Sequence, residues 1–113
     1  MLFRSVGSTI DLGSGSDTLT LASGGANSVN VANVESLLGG TGADTIVLTA
    51  AIVGSTIDLG SGSDTLTLAN GVNSVTVANV ESILGGTGAD TVVLTTLAAG
   101  STIDLGSGSD TLT

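Results

Sequence analysis

Cysteine, histidine, proline, tryptophan and tyrosine are all missing from this 113-residue sequence, and phenylalanine occurs once, at Phe3. Without cysteine there is no disulfide framework. Without Cys or His, soft and borderline metals lose their usual ligands. Lysine is also absent, so the common general bases and activated nucleophiles are missing and no catalytic function is expected. Arg4 is the only cation, against ten acidic residues and a net charge of −9. Nucleic acid and anionic membranes are therefore not expected partners, since both are held by clustered Lys and Arg. The longest apolar runs, 46–53 and 92–99, fall far short of the roughly 20 residues a membrane helix needs, and no membrane insertion is expected. The opening MLFRSVGST is too short and too polar to read as a signal peptide. What such a chain attracts is a hard, oxygen-seeking cation, Ca²⁺ before Mg²⁺.

The sequence is rich in glycine, with 18 residues, and in repetition. After a lead-in at 1–6, a first repeat spans 7–53, a second spans 54–99, and a partial third spans 100–113. This near-exact periodicity points to a stacked-repeat architecture in one repeat domain, not to a globule around a single site.

Short alternating runs fill each repeat. In Thr9-Ile10-Asp11-Leu12, Thr18-Leu19-Thr20-Leu21, Ser28-Val29-Asn30-Val31 and Ser74-Val75-Thr76-Val77, apolar and polar residues take turns. Such period-2 patterns read as half-buried strands. Thr45-Ile46-Val47-Leu48 is another run, and Glu35-Ser36-Leu37-Leu38 a weaker one. No apolar stripe has the 3.6 period of a helix. Between the runs lie turns ending in Asp17, Asp44, Asp64, Asp90 and Asp110, at successive separations of 27, 20, 26 and 20. If each turn starts a coil, the coils alternate long and short, with a mean separation near 23 and two or three strands each. The predicted fold is all-β: a right-handed parallel β-solenoid of about five coils, β-roll- or β-helix-like, with all turns on one edge.

The turns carry the chemistry. Gly39-Gly40-Thr41-Gly42-Ala43-Asp44-Thr45-Ile46-Val47 and Gly85-Gly86-Thr87-Gly88-Ala89-Asp90-Thr91-Val92-Val93 both fit G-G-x-G-x-D-x-U-x in full. Three degenerate turns begin at Leu12, Leu59 and Leu105, with Leu in place of the first Gly. Asn33-Val34-Glu35-Ser36-Leu37 leads into the first full motif. On these residues the sequence resembles the RTX, or hemolysin-type, calcium-binding repeats. That resemblance implies a secreted or bacterial surface protein that holds Ca²⁺ between stacked turns. It implicates Gly39, Thr41 and Asp44, and Gly85, Thr87 and Asp90, with Gly40, Gly42, Gly86 and Gly88 contributing from the facing turn. The matched positions in the degenerate turns are Gly13, Gly15, Asp17, Gly60, Gly62, Asp64, Gly106, Gly108 and Asp110.

The physics supports a cation independently. One Gly-x-Gly-x-Asp turn cannot supply the 6–8 oxygens Ca²⁺ wants, whereas two stacked turns could pool them. Aspartates stacked at the ~4.8 Å strand spacing repel by about 1 to 3 kcal/mol per pair without a counterion. Five turns give at most four sites between them. The same turn can also close locally, its Asp accepting nearby backbone N–H groups with no ion. Asp11, Asp58 and Asp104 read as outward, solvated charges. Glu35 and Glu81 read as corner residues accepting backbone N–H groups, Asn27, Asn33, Asn73 and Asn79 as turn residues, and Thr18/Thr20 and Thr65/Thr67 as solvated β surface. Residues 7–20 and 100–113 are identical, so coils could also stack end on end. The function expected is a calcium-binding structural module. The alternative is a subunit that self-associates head-to-tail into filaments, with calcium optional.

Overall fold

The computed structural model describes all residues except Met1, Arg4, Ser5, Leu97 and Ala98. The sole cation, Arg4, and part of the apolar run 92–99 thus lie outside the described residues. No helix forms among them, and so none is long and apolar enough to cross a membrane.

Among the described residues thirteen strands alternate between two parallel sheets. The seven-stranded sheet contains β1 (Leu2–Phe3), β3 (Thr18–Leu21), β5 (Ser36–Leu38), β7 (Val53–Asp58), β9 (Ser74–Ala78), β11 (Thr91–Leu94) and β13 (Thr111–Leu112), in that spatial order. The six-stranded sheet contains β2 (Val6–Asp11), β4 (Ser28–Ala32), β6 (Thr45–Leu48), β8 (Thr65–Thr67), β10 (Ser82–Thr87) and β12 (Thr102–Ser107). Five full turns separate β2 from β12, so the chain is the expected parallel β-solenoid of about five coils.

The alternating pattern dictates this arrangement. Side chains at successive strand positions point to opposite faces, so one apolar row per strand can be buried between the sheets. Leu19, Leu37, Ile57 and Val77 stand in register across the larger sheet. Val29, Ile46, Leu66, Ile83 and Ile103 do so across the smaller one. Eight of these nine side chains are buried, and Ile103 packs partly buried against them. Each buried aliphatic residue contributes about 1.5–3 kcal/mol. The core therefore consists of repeated thin layers of Leu, Ile and Val.

Two expectations are corrected here. A coil holds two strands and is shorter than the aspartate spacing suggests. In-register neighbours are separated by 17 (Val29 to Ile46), 18 (Leu19 to Leu37), 20 (Ile46 to Leu66) or 21 (Ile10 to Val31). The aspartate turns also occupy both edges rather than one. Both corrections have the same cause: each long repeat contains five strands, β2–β6 and then β7–β11. An odd number places the same segment in alternate sheets. The strand VGSTID is β2 in the smaller sheet and β7 in the larger, and every following turn changes edge with it.

Some corners need no glycine. Asn33 and Asn79 take positive φ, 54° each, and carry the chain around in three residues. Asn33 Nδ2 donates to Asp11 Oδ1 at 2.6 Å, and Asn79 Nδ2 to Asp58 Oδ1 at 2.7 Å. Asp11, Asp58 and Asp104 also accept the N–H of Gly13, Gly60 and Gly106, each at 3.0 Å. These outward aspartates therefore close the strand ends as well as facing solvent. The bonds from Asn33 and Gly13 hold the Asp11 carboxyl below its usual range. Replacing Asn33 by Ala puts a Cβ-bearing residue without a stabilising amide into the left-handed region and is expected to cost about 1 kcal/mol. Thermal denaturation of Asn33→Ala beside Asn33→Gly checks this, because glycine should recover the backbone part of the loss.

Candidate metal centre

Five Gly-x-Gly-x-Asp turns are distributed over the two edges. On the first edge, where the chain passes from the larger to the smaller sheet, turn 39–44 sits directly on turn 59–64. This brings Gly39, Gly40, Thr41, Gly42 and Asp44 against Gly60, Gly62 and Asp64. On the second edge, turn 85–90 sits on turn 105–110, bringing Gly85, Gly86, Thr87, Gly88 and Asp90 against Gly106, Gly108 and Asp110. The turn with Gly13, Gly15 and Asp17 stacks on no other motif turn. Its neighbour is the corner at Asn33–Glu35, where Glu35 Oε2 accepts the Asp17 N–H at 2.8 Å. Of the four junctions between motif turns expected at most, two are formed.

Within each pair the backbones touch. Ser61 N–H donates to the Gly40 carbonyl at 3.0 Å, and Gly42 N–H donates to the Ser61 carbonyl at 2.8 Å. Gly86 and Gly106, and Thr87 and Ser107, stand in register in the second pair. Contact this close requires glycine: a Cβ on Gly60 or Gly62 would overlap the carbonyl oxygen of Gly40 or Gly42. The same holds for Gly106 against Gly86 and Gly108 against Gly88. Carbonyl oxygens of one turn thus lie against the backbone of the next.

The aspartates run along these edges as a ladder in which a side-chain oxygen accepts the backbone N–H of the matching residue one coil earlier. Asp44 Oδ1 accepts from Asn27 N, at 2.9 Å. Asp64 Oδ1 accepts from Asp44 N, at 2.7 Å. Glu81 Oε2 then accepts from Asp64 N, at 2.8 Å. On the second edge Asp90 Oδ1 accepts from Asn73 N, at 3.0 Å, and Asp110 Oδ1 from Asp90 N, at 2.9 Å. Glu35 and Glu81 therefore play the corner role expected of them. Sequence reasoning missed the structural weight of Asn27 and Asn73. Both are buried against Asp44 and Asp90, and their place in turns flanking strand runs was the only signal available.

The ladder uses only one oxygen of each aspartate. Asp44, Asp64 and Asp90 are 0–1% exposed, yet their Oδ2 atoms, and that of Asp17, are buried with no hydrogen-bond partner. A buried acceptor left unmatched costs about 1–3 kcal/mol, more when charged. Burial above all raises Asp64, the Asp44 N–H bond works against it and the charges of Asp44 and Glu81 add to it, leaving the carboxyl at about 6. Among the described residues no group of three or more His, Cys, Asp or Glu side chains converges. A cation here would be held by paired carboxylates supplemented with backbone carbonyls. That all-oxygen donor set fits a hard ion such as Ca²⁺ and leaves no nitrogen or sulfur for a softer one.

Residues 32–49 match a family model described as the RTX calcium-binding nonapeptide repeat (4 copies). The match runs from the end of β4 through the Asn33–Glu35 corner and turn 39–44 to just beyond β6. No curated protein and no solved structure gives a significant match.

Proposed function

We propose that this chain, a β-solenoid of which residues 32–49 match the RTX calcium-binding nonapeptide repeat, is a structural module whose coils are locked by Ca²⁺ between paired Gly-x-Gly-x-Asp turns. The observation that carries the reading is the set of buried, unpartnered Oδ2 atoms on Asp44, Asp64 and Asp90. Asp44 and Asp64 would hold one ion with carbonyls of turns 39–44 and 59–64. Asp90 and Asp110 would hold another with carbonyls of turns 85–90 and 105–110. Bound calcium would supply positive charge to carboxylates that otherwise repel each other and whose Oδ2 atoms, on Asp44, Asp64 and Asp90, lack donors. Because the site exists only when the coils are stacked, binding energy becomes folding energy. A site saturated at a hundred times its Kd stabilises the folded state by about 2.7 kcal/mol.

This reading places the protein outside the cell or on a bacterial surface, where calcium is plentiful enough to load such sites. Its role there is to extend or stiffen a larger assembly, with no catalytic centre. Far-UV circular dichroism during a Ca²⁺ titration from EDTA, with light scattering on the same sample, tests it. A cooperative gain of β signal is the expected result. Full β structure in EDTA that calcium neither increases nor stabilises would sink the reading. Scatter growing under that condition would support head-to-tail self-association instead.

A further inference from the structure

Each pair of aspartate turns is preceded on its edge by a third turn that carries no motif: 22–27 before 39–44, and 68–73 before 85–90. Both stack in register with the motif turn that follows. Gly24 N–H donates to the Thr41 carbonyl at 3.1 Å. Gly71 N–H donates to the Thr87 carbonyl at 2.6 Å. In each, asparagine stands at the aspartate position. Asn27 Nδ2 donates to the carbonyls of Ala22 and Gly25 in its own turn, at 3.1 and 3.4 Å, and to Asp44 Oδ1 at 2.7 Å. Asn73 Nδ2 does the same with Ala69, Gly71 and Asp90 Oδ1, at 2.8, 3.1 and 2.8 Å. The donor side of the constellation thus recurs on opposite edges of the solenoid; the amide oxygens differ, Asn73 Oδ1 accepting the Ile52 N–H at 3.1 Å and Asn27 Oδ1 being buried without a partner.

The amide nitrogen of Asn and the second oxygen of Asp are the same atom of the side chain with opposite hydrogen-bonding character. In the asparagine turns that atom is a donor among two turn carbonyls and a carboxylate from the next coil, and it is satisfied. In the aspartate turns it is an acceptor. Asp44 Oδ2 folds back over its own turn beside Gly39, buried and without a partner. An acceptor placed where the asparagine turns hold a donor lacks positive charge, which a divalent cation supplies.

We infer that Asn27 and Asn73 are built-in substitutes for a cation: their amide groups do for turns 22–27 and 68–73 what calcium does for the aspartate turns. This rests on the calcium reading above. Each stack then opens with an ion-free turn that holds its shape without metal and offers the next aspartate a preformed ledge. Asn in place of Asp at this position keeps turns 22–27 and 68–73 from forming a further aspartate pair, and so from taking an ion.

The experiment is the number of Ca²⁺ ions bound and the melting temperature in EDTA, for the full chain and two reciprocal variants. Asn27→Asp should bind one ion more than the parent, melt lower in EDTA, and recover in millimolar calcium. Asp44→Asn should bind one ion fewer and melt no lower than the parent in EDTA. It also keeps the test decisive should Asn27→Asp not fold. An unchanged ion count in Asn27→Asp, or a lower EDTA melting temperature in Asp44→Asn, would overturn the substitution role while leaving the calcium reading intact. A parent chain that binds no calcium would overturn both.

Discussion

Gly62→Ala is expected to cost about 2–5 kcal/mol and to separate the two stacked turns on the first edge. Two penalties combine. Gly62 has φ +154°, at the limit of the region L side chains rarely adopt. An added methyl would also overlap the Gly42 carbonyl oxygen, which is backbone and cannot swing aside. The ladder bond from Asp44 N to Asp64 Oδ1, 2.7 Å long, would lengthen with the gap. Gly13→Ala is the control. Gly13 also has positive φ, +82°, but nothing lies within 4 Å of its added Cβ. It should lose only the conformational part, about 1 kcal/mol. Urea denaturation of both variants and the parent, at saturating calcium, measures the difference. Equal losses would show that turn conformation, not turn-on-turn contact, sets the requirement for glycine.

The strands and their inward faces were legible because period-2 alternation is a direct consequence of the pleat. β3 and β6 coincide with the runs read as Thr18–Leu21 and Thr45–Leu48, and the weak run at Glu35–Leu38 is β5. The coil size was not legible, because only glycine-rich turns announced themselves. The corner at Asn33–Glu35 turns the chain without glycine, using a positive-φ asparagine and a glutamate that reaches back to Asp17. Once that corner is counted, the spacings explain themselves. Glu35 lies 18 residues after Asp17, a full coil, and nine residues before Asp44, a half coil. A separation of 27 is therefore one and a half coils and moves the turn to the opposite edge. A separation of 20, as from Asp44 to Asp64, is one coil on the same edge.

The motif turns were legible one by one, but their pairing was not. The motif marks which turns carry aspartate; it does not say which turns meet. Pairing follows from strand count per repeat, which sets the edge each turn occupies. The ladder of aspartate oxygens on backbone N–H groups depends on coils stacking in register, a long-range outcome that no local spacing encodes. The local closure weighed as the ion-free alternative is half present. Oδ1 of Asp44, Asp64 and Asp90 does accept backbone N–H groups, from the neighbouring coil and not its own turn. The other oxygen is what that alternative leaves unexplained.

Acidity should act on this chain with opposite signs in the absence and presence of calcium. Asp64 is raised from 3.8 to about 6 in the folded state, chiefly by burial. A raised carboxyl binds its proton more tightly folded than unfolded, so metal-free stability falls as pH rises from about 4 to about 6 and is flat above. The expected loss is about 2 kcal/mol, somewhat under the full linkage value because the edge is close to solvent. Asp11 works in another window: its carboxyl is lowered, so its contribution is present above the usual range and disappears only below about 4. With calcium the sign reverses. The ion needs the ionised carboxylate, a proton competes for it, and affinity should rise toward pH 6 and then level off. Urea denaturation from pH 4.5 to 7, in EDTA and in calcium, with Asp64→Asn as reference, isolates this group. The parent should lose stability relative to Asp64→Asn over that range in EDTA and gain it in calcium. A parent-minus-variant difference that stays constant with pH in EDTA would mean that Asp64 is ionised and already satisfied in the folded chain, and that its buried oxygen asks for no ion.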